Sequence, residues 1–334
     1  MAEQPLLSTV ITSYTIDRLK DIFELLDSIK AQTYNHTETI LVVERSMELF
    51  DRIKQYAEEK AIPNVKVVFN HGEPGLSVAR NLGVKEARGD IIAFIDDDAL
   101  PFPNWAEETV KTYEDKSIIG VTGPILPLWK DEPIDWFPDE LDWILGCAAW
   151  SNITSKREVR NVFGTNMSFR REAFDSSGLF LTHLGAKGGG ETGKHELVGD
   201  ETEFSIRVRR RTGKCILYNP NIRVQHKVYK YRVTSSFIAR RAYWEGYTKA
   251  MLNKSYRNNG SNEKLLGIEY RLLRRILGKL LPNIMKGFLK NPIIAWHKLS
   301  VTIIVLSFVA LGYFSYLFQS FLGHKEATIG KEEA

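Results

Sequence analysis

Ile91-Ile92-Ala93-Phe94-Ile95-Asp96-Asp97-Asp98 decides how this chain is read: five apolar residues, short enough for a buried strand, end abruptly in three carboxylates. Adjacent carboxylates repel unless a cation neutralises them. A divalent ion that prefers oxygen, Mg²⁺ or Mn²⁺, does so and can bridge the protein to a substrate diphosphate. Alternation along a strand sends Asp96 and Asp98 to one side and Asp97 to the other. The cluster also fits an Asp-rich turn capping a helix that starts near Trp105, and Asp clusters at strand ends also occur in receiver domains and phosphatases.

Upstream, short β-branched runs alternate with helical patterns. Leu7 to Ser13, Thr39 to Val43 and Val65 to Phe69 read as strands; Leu19, Ile22, Phe23, Leu26 and Ile29 recur at helical spacing, as do the apolar residues after Met47 and after Leu76. With Ile91 to Ile95 this makes four βα units, the mark of a mainly parallel sheet wrapped by helices. Ligands on such a sheet bind beyond the carboxyl ends of its strands. Gly75-Leu76-Ser77-Val78-Ala79-Arg80-Asn81-Leu82-Gly83 opens a helix with glycine at its edge and a cation, Arg80, one turn inside, suited to diphosphate or base contacts.

Downstream, the pattern loosens into an aromatic-rich segment (Trp129, Trp136, Phe137, Trp143, Trp150), either a wall for a second substrate or core packing. Asp200 to Arg211 reads as a helix, Cys215 to Tyr218 and Ile222 to His226 as strands, and Thr234 to about Asn253 as a helix ahead of the polar loop Asn258 to Asn262. Leu265 to Leu281 interleaves apolar residues with Arg271, Arg274, Arg275 and Lys279, as in a basic amphipathic helix on an anionic lipid surface or a solvated basic face. Leu299 to Gly323 carries no charge and is long enough for one transmembrane helix; a buried core helix is the alternative. Lys279, Lys286, Lys290 and Lys298 precede this run, whereas Lys325 and Lys331 are offset by Glu326, Glu332 and Glu333. The positive-inside rule then puts the large N-terminal part in the cytoplasm.

The 334 residues, 43% hydrophobic and 26% charged, can bury a large core with an appendage to spare. Forty-five basic against 41 acidic residues leave a net charge of +4, too balanced for nucleic-acid binding over the whole chain. The two cysteines, Cys147 and Cys215, form no CxxC and have no nearby His pair, which argues against a disulfide framework or a structural zinc. The apolar run Leu6 to Ile11 follows Glu3 and no Lys or Arg, so it reads as a first strand and not as a signal peptide.

Ser13-Tyr14 after the first strand, Glu44 after the second, the Gly75 to Gly83 helix and the Asp96 to Asp98 strand end occur in the order that resembles the family 2 glycosyltransferases, over roughly residues 7 to 250. The resemblance implies an α/β, GT-A (Rossmann-like nucleotide-diphospho-sugar transferase) domain over residues 1–255. A basic amphipathic membrane-surface region (256–298), a transmembrane helix (299–323) and a short tail (324–334) would follow. It implies an inverting, metal-dependent transferase with Ser13, Tyr14, Glu44, Gly75, Arg80, Asp96 and Asp97 toward the UDP-sugar donor, Glu44 contacting uracil or ribose. Asp98, with Asp96 and His226, would hold a divalent cation, and Asp200-Glu201 would supply the general base, Glu201 aligning with it. Family members usually carry two acids after the second strand; here Arg45 follows Glu44, which puts base selectivity in question.

Arg160 to Arg171, Gly185 to Gly189, Asp200 to Glu203, His226-Lys227-Val228 and Arg241 to Tyr247 are similar to the archaeal glucosyl-dolichyl-phosphate glucuronosyltransferases, which extend a lipid-linked glycan for protein N-glycosylation. A single-pass protein of the cell membrane would suit a dolichyl or polyprenyl phosphate acceptor. A UDP-glucuronate donor needs a cation facing its carboxylate; Arg170, Arg171 and Lys187 are the candidates, and the Lys187 to Gly190 loop is either a backbone lid over phosphates or a plain turn. The Q-x-x-R-W motif of processive synthases is absent, which favours single-residue transfer. A neutral hexose or N-acetylhexosamine donor, a metal-dependent phosphotransfer enzyme and a catalytically silent binding module are the competing readings.

Overall fold

The computed structural model describes residues 4–148, 154–185, 197–258 and 265–323. Its first elements follow the hydrophobic pattern almost residue for residue: β1 (Leu7–Ser13), α1 (Leu19–Lys30), β2 (Thr37–Glu44), α2 (Met47–Glu59), β3 (Val65–Asn70), α3 (Leu76–Glu86) and β4 (Ile91–Asp96). β5 (Ala99–Pro101), α4 (Trp105–Thr112), β6 (Ile118–Thr122), β7 (Ile125–Trp129), β8 (Arg157–Val159), β9 (Asn166–Arg170) and α5 (Arg171–Ser177) come next. They are followed by α6 (Asp200–Thr212), β10 (Cys215–Tyr218), β11 (Val224–Val228), α7 (Ser235–Asn258), α8 (Gly267–Arg275), α9 (Leu281–Gly287) and α10 (Pro292–Phe321).

Eight strands form one sheet in the order β3-β2-β1-β4-β9-β6-β10-β8. β1 is parallel to both β2 and β4, so the chain winds outward to β3 and then crosses back to the other side of β1. That reversal opens a crevice beyond the carboxyl ends of β1 and β4. β9 runs antiparallel to its neighbours β4 and β6, making the sheet mixed where the periodicity suggested a mainly parallel one. Apolar residues cover both faces: Leu7, Ile11, Leu41, Ile91 and Ile95 on one side, Val10, Ile40, Ile92, Phe94 and Phe169 on the other. A smaller sheet, β5-β11-β7, pairs His226 with Ala99, one residue beyond Asp98.

The chain divides into two compact units: residues 1–128, 152–196 and 200–227 form the first, and 129–151, 197–199 and 228–334 the second. The second has its own core of Phe137, Leu141, Ile144, Ile238, Ala242, Ile276, Ile284, Val301 and Val305, with Trp129, Trp136 and Trp143 packed against it. These tryptophans serve packing; Trp150 lies outside the described residues. The basic stretch after Leu265 is helical but broken by a π turn at Ile276–Leu280. The apolar helix α10 begins at Pro292, earlier than the uncharged run, because Asn291 accepts the Ile294 N–H and proline is preorganised for a first turn. It is long and apolar enough to cross a bilayer.

Candidate active site

β4 is buried between β1 and β9 up to Ile95, so its last residues emerge at the sheet edge where β1 also ends. There Asp96, Asp98 and His226 each offer a ligand atom, all within 4.8 Å of one another. His226 Nε2 lies 3.1 Å from Asp98 Oδ1, and both side chains are nearly inaccessible. Asp97 points the other way and accepts a hydrogen bond from Ser13 Oγ. Burial, and then repulsion from Asp98, push its carboxyl up to about 7 against the opposing influence of Ser13 and Arg18. Two carboxylate oxygens and an imidazole nitrogen suit Mg²⁺ or Mn²⁺.

Behind this triad lies a second set of charges. Arg18, on the single turn after β1, reaches Asp98 Oδ2 at 3.2 Å and Asp21 Oδ2 at 3.1 Å. Lys227 is wholly buried, with Nζ 2.9 Å from Asp21 and 2.6 Å from Glu24, while its backbone N–H donates to the Asp98 carbonyl. A buried ammonium is tolerated only with such partners, and here they tie β11, which carries His226, to α1. The one signal in the sequence was the Arg18–Asp21 spacing, which suits a helical ion pair.

Arg80 has a different place from the one expected of it. Instead of standing open to a diphosphate or a base, its guanidinium is buried between two carboxylates, 2.7 Å from Asp200 and 3.3 Å from Asp96, and also donates to the Gly164 carbonyl. Burial alone would weaken its hold on the proton, but Asp200, Asp96 and Glu201 outweigh that and raise its pKa. Thr165 Oγ1 donates to the other oxygen of Asp96 at 2.6 Å. Asp200 is thus enclosed and held, whereas Glu201, the next residue on the first turn of α6, is only partly buried.

Glu44 is also engaged within the protein: its Oε2 accepts the Gly75 N–H at 2.9 Å and lies 3.5 Å from Asn70 Nδ2, fixing the entry to α3. Arg45, in the left-handed backbone region at φ 69°, places its guanidinium 5.6 Å from the centre of the half-exposed Tyr14 ring. Ser13, Tyr14, Glu44 and Gly75 therefore share the carboxyl edge of β1 and β2 with the carboxylates of β4.

Arg170 and Arg171 do not reach this edge. Arg170 pairs with Ile91 at the opposite end of β4, where it donates to the carbonyls of Tyr113, Asp115 and Ile118. Arg171 donates to the carbonyls of Gly89 and Ala87. Five residues of β4 separate them from Asp96, about 16 Å at the rise of a strand, which removes both as cations for a sugar carboxylate at the carboxyl edge. Lys187 lies outside the described residues.

The family profile described as glycosyl transferase family 2 matches residues 8–178. The chain is 31% identical over 312 residues to the glucosyl-dolichyl phosphate glucuronosyltransferase of Haloferax volcanii, covering 93% of this chain and 95% of that one. Among solved structures it resembles the mannosyltransferase PcManGT of Pyrobaculum calidifontis in complex with GDP-Man and Mn²⁺, with a TM-score of 0.61 at 16% identity, covering 95% of this chain and 88% of that one. It also resembles GalNAc-T7 with UDP, GalNAc and Mn²⁺, with a TM-score of 0.51 at 17% identity, covering 81% of this chain and 54% of that one. The structural likenesses bear on the fold and agree with the mixed sheet described above, while the profile and the relative that matches along nearly its whole length establish that this chain belongs to glycosyl transferase family 2 and is a glycosyltransferase.

Proposed function

We propose that the chain transfers glucuronate from UDP-glucuronate, with inversion, to a glycan carried on dolichyl or polyprenyl phosphate, in a pathway of protein N-glycosylation. The observation that carries this reading is the 31% identity over 93% of the chain to a relative named glucosyl-dolichyl phosphate glucuronosyltransferase. Asp96, Asp98 and His226 would hold Mg²⁺ or Mn²⁺. Such an ion, when bound, would supply positive charge to a leaving diphosphate. The chain's own groups do the rest. Glu201, partly buried where Asp200 is enclosed, would take the proton of the acceptor hydroxyl while the hydroxyl oxygen bonds to the anomeric carbon and the bond to the diphosphate breaks. Arg80 compensates the charges of Asp96 and Asp200, holding the donor end and the acceptor end of the site at a fixed spacing. Tyr14, Glu44 and Gly75 form the edge for the nucleotide. The basic residues Lys279, Lys286, Lys290 and Lys298 would face the anionic headgroups of the cytoplasmic leaflet.

One observation favours a neutral hexose as the second reading: the two arginines considered for a sugar carboxylate are committed to backbone carbonyls. The test is nucleotide release from a panel of UDP-sugars and GDP-mannose, with Mn²⁺ or Mg²⁺, with and without a glycosylated polyprenyl phosphate. Release from UDP-glucuronate that rises with the acceptor supports the proposal. Acceptor-stimulated release from a neutral sugar nucleotide alone replaces the donor, and no release from any donor removes the reading.

A further inference from the structure

Helix α10 shows two unlike faces along its whole length. Ala295, Thr302, Val305, Gly312 and Tyr316 are buried, whereas Ile293, Trp296, Ile303, Phe314, Phe318 and Phe321 are each more than half exposed. The buried stripe is covered by protein at every level. Val301 and Val305 share a core with Ile238 and Ala242 of α7. Gly312 meets Tyr243 so closely that a Cβ there would lie 1.9 Å from its carbonyl oxygen, and a Cβ on Gly246 would lie 2.0 Å from the carbonyl oxygen of Val309. Further on, Tyr247 Oη donates to Gln319 at 2.9 Å, its ring packs edge-on against Tyr316, and Lys254 binds Ser320. As residue numbers rise along α7 they rise along α10, so the two helices run side by side in the same direction.

This pairing decides how α10 can meet a membrane. From Ile238 to Lys254, α7 accompanies α10 for about 24 Å at the rise of a helix. A bilayer core is about 30 Å thick, so a crossing α10 would draw nearly the whole of that stretch into hydrocarbon. The stretch carries Arg240, Arg241, Glu245, Lys249 and Lys254. Charges at that depth are among the costliest groups to bury. A helix lying in the plane of the membrane has no such conflict: its apolar face enters one leaflet and its other face stays on protein. The neighbouring helices suit the same surface. On α8, the π turn, α9 and the turn after it, the exposed Leu273, Leu277, Met285 and Leu289 alternate with exposed Arg274, Lys279, Lys286 and Lys290, which match an anionic headgroup layer.

We therefore propose that α10 does not cross the bilayer but lies along its surface, docked on α7, and that α8 to α10 together form a one-leaflet, anionic-lipid-binding face. The proposal takes up the membrane placement given above and is independent of the donor, so a different sugar would leave it standing.

The test uses the full chain in sealed membranes, with Cys147 and Cys215 replaced by alanine and single cysteines introduced as Glu59→Cys in α2 and Leu322→Cys just after α10. Both positions are exposed. A membrane-impermeant maleimide should label the two from the same side, in inverted vesicles and not in intact spheroplasts, at rates within about threefold of each other. Labelling of the two from opposite sides would overturn the proposal. Should the cysteine-free background fail to fold, protease protection of a C-terminal epitope tag on the unaltered chain reads the same sidedness. A second arm mixes purified protein with phosphatidylglycerol vesicles. Flotation that falls at least tenfold in Phe314→Lys/Phe318→Lys supports the lipid face, and a soluble dimer that does not float would show that a second copy covers it instead.

Discussion

The paired strands β4 and β9 carry a cluster of charge at each end, and the two clusters do opposite things. At one end Asp96 and Asp98 meet side chains: Arg80, Arg18, His226 and Thr165. At the other, Arg170 and Arg171 meet backbone, five carbonyl oxygens between them. A side chain saturated by fixed carbonyls is a clamp on its loops. A set of carboxylates that meets guanidinium cations from two different elements, with an imidazole beside it, can exchange one partner for a metal or a substrate. Equal density of charge in the sequence therefore conceals unequal chemistry, and what separates the two ends is whether the partners belong to the main chain.

The largest effect should come from Asp98→Asn. It keeps the shape of the side chain and removes a charge from the proposed metal site, and we expect sugar-nucleotide turnover to fall by about a thousandfold or more, a barrier increase of about 4 kcal/mol. Turnover measured at saturating Mn²⁺ checks this; activity within tenfold of the parent would break the distinction at its stronger end. Glu201→Gln comes next, with kcat lowered by roughly 10²- to 10⁴-fold and donor KM little changed, the range a general base supplies. Steady-state kinetics with varied donor and varied acceptor would separate it from a binding defect.

Asp200→Asn sharpens the contrast between neighbours. It leaves Arg80 buried beside a neutral amide, so its first consequence is a loss of about 3–5 kcal/mol in stability, seen in chemical unfolding. Asp142 in the second unit extends the comparison to an acid set in a different surrounding. Burial first, and then Asp139 and Glu140, push it up to about 7. Because the folded pKa lies above the ordinary value of 3.8, the protonated form is favoured by folding. That contribution is intact below about pH 4 and is lost as pH rises through 7. Asp142→Asn should then leave stability little changed at or below about pH 4 and raise it at pH 8 by at most a few kcal/mol, at about 1.4 kcal/mol per pKa unit. Thermal unfolding at the two pH values checks the sign. Arg170→Ala should cost only about 1–3 kcal/mol of stability through its lost carbonyl bonds and leave the ratio of activities on acidic and neutral donors unaltered. A change in that ratio would return the residue to the site.

How much of this was legible from residues alone depends on what each strand buries. β1 to β4 hide aliphatic side chains, and their runs and turns gave elements nearly to the residue. β9, Asn-Met-Ser-Phe-Arg, escaped notice because its buried residues are partly polar: Asn166 accepts from the Trp105 indole and donates to the carbonyls of Pro124 and Ile222, and Ser168 binds the Tyr113 hydroxyl. A strand that satisfies long-range hydrogen bonds looks like a loop to any hydrophobic pattern. The final strand was placed two residues early, since Ile222 closes a turn onto Asn219 and pairing with β5 starts only at Val224. The carboxylate end of β4 and His226 were visible as residue types in order. Arg18 was not, and Lys227 and Thr165 stood in similar stretches without a role, because a buried charge network is defined by distances between elements far apart in the chain.

The measurement that bears most directly on this account compares Asp98→Asn and Arg170→Ala with the parent in one assay: Mn²⁺-dependent binding of UDP, followed by acceptor-stimulated release of UDP from the preferred donor. The account predicts that Asp98→Asn loses both metal-dependent binding and release while Arg170→Ala, once corrected for folded fraction, retains them. Retention of both in Asp98→Asn, or their loss in folded Arg170→Ala, would contradict the assignment of chemistry to the carboxylate end of the sheet.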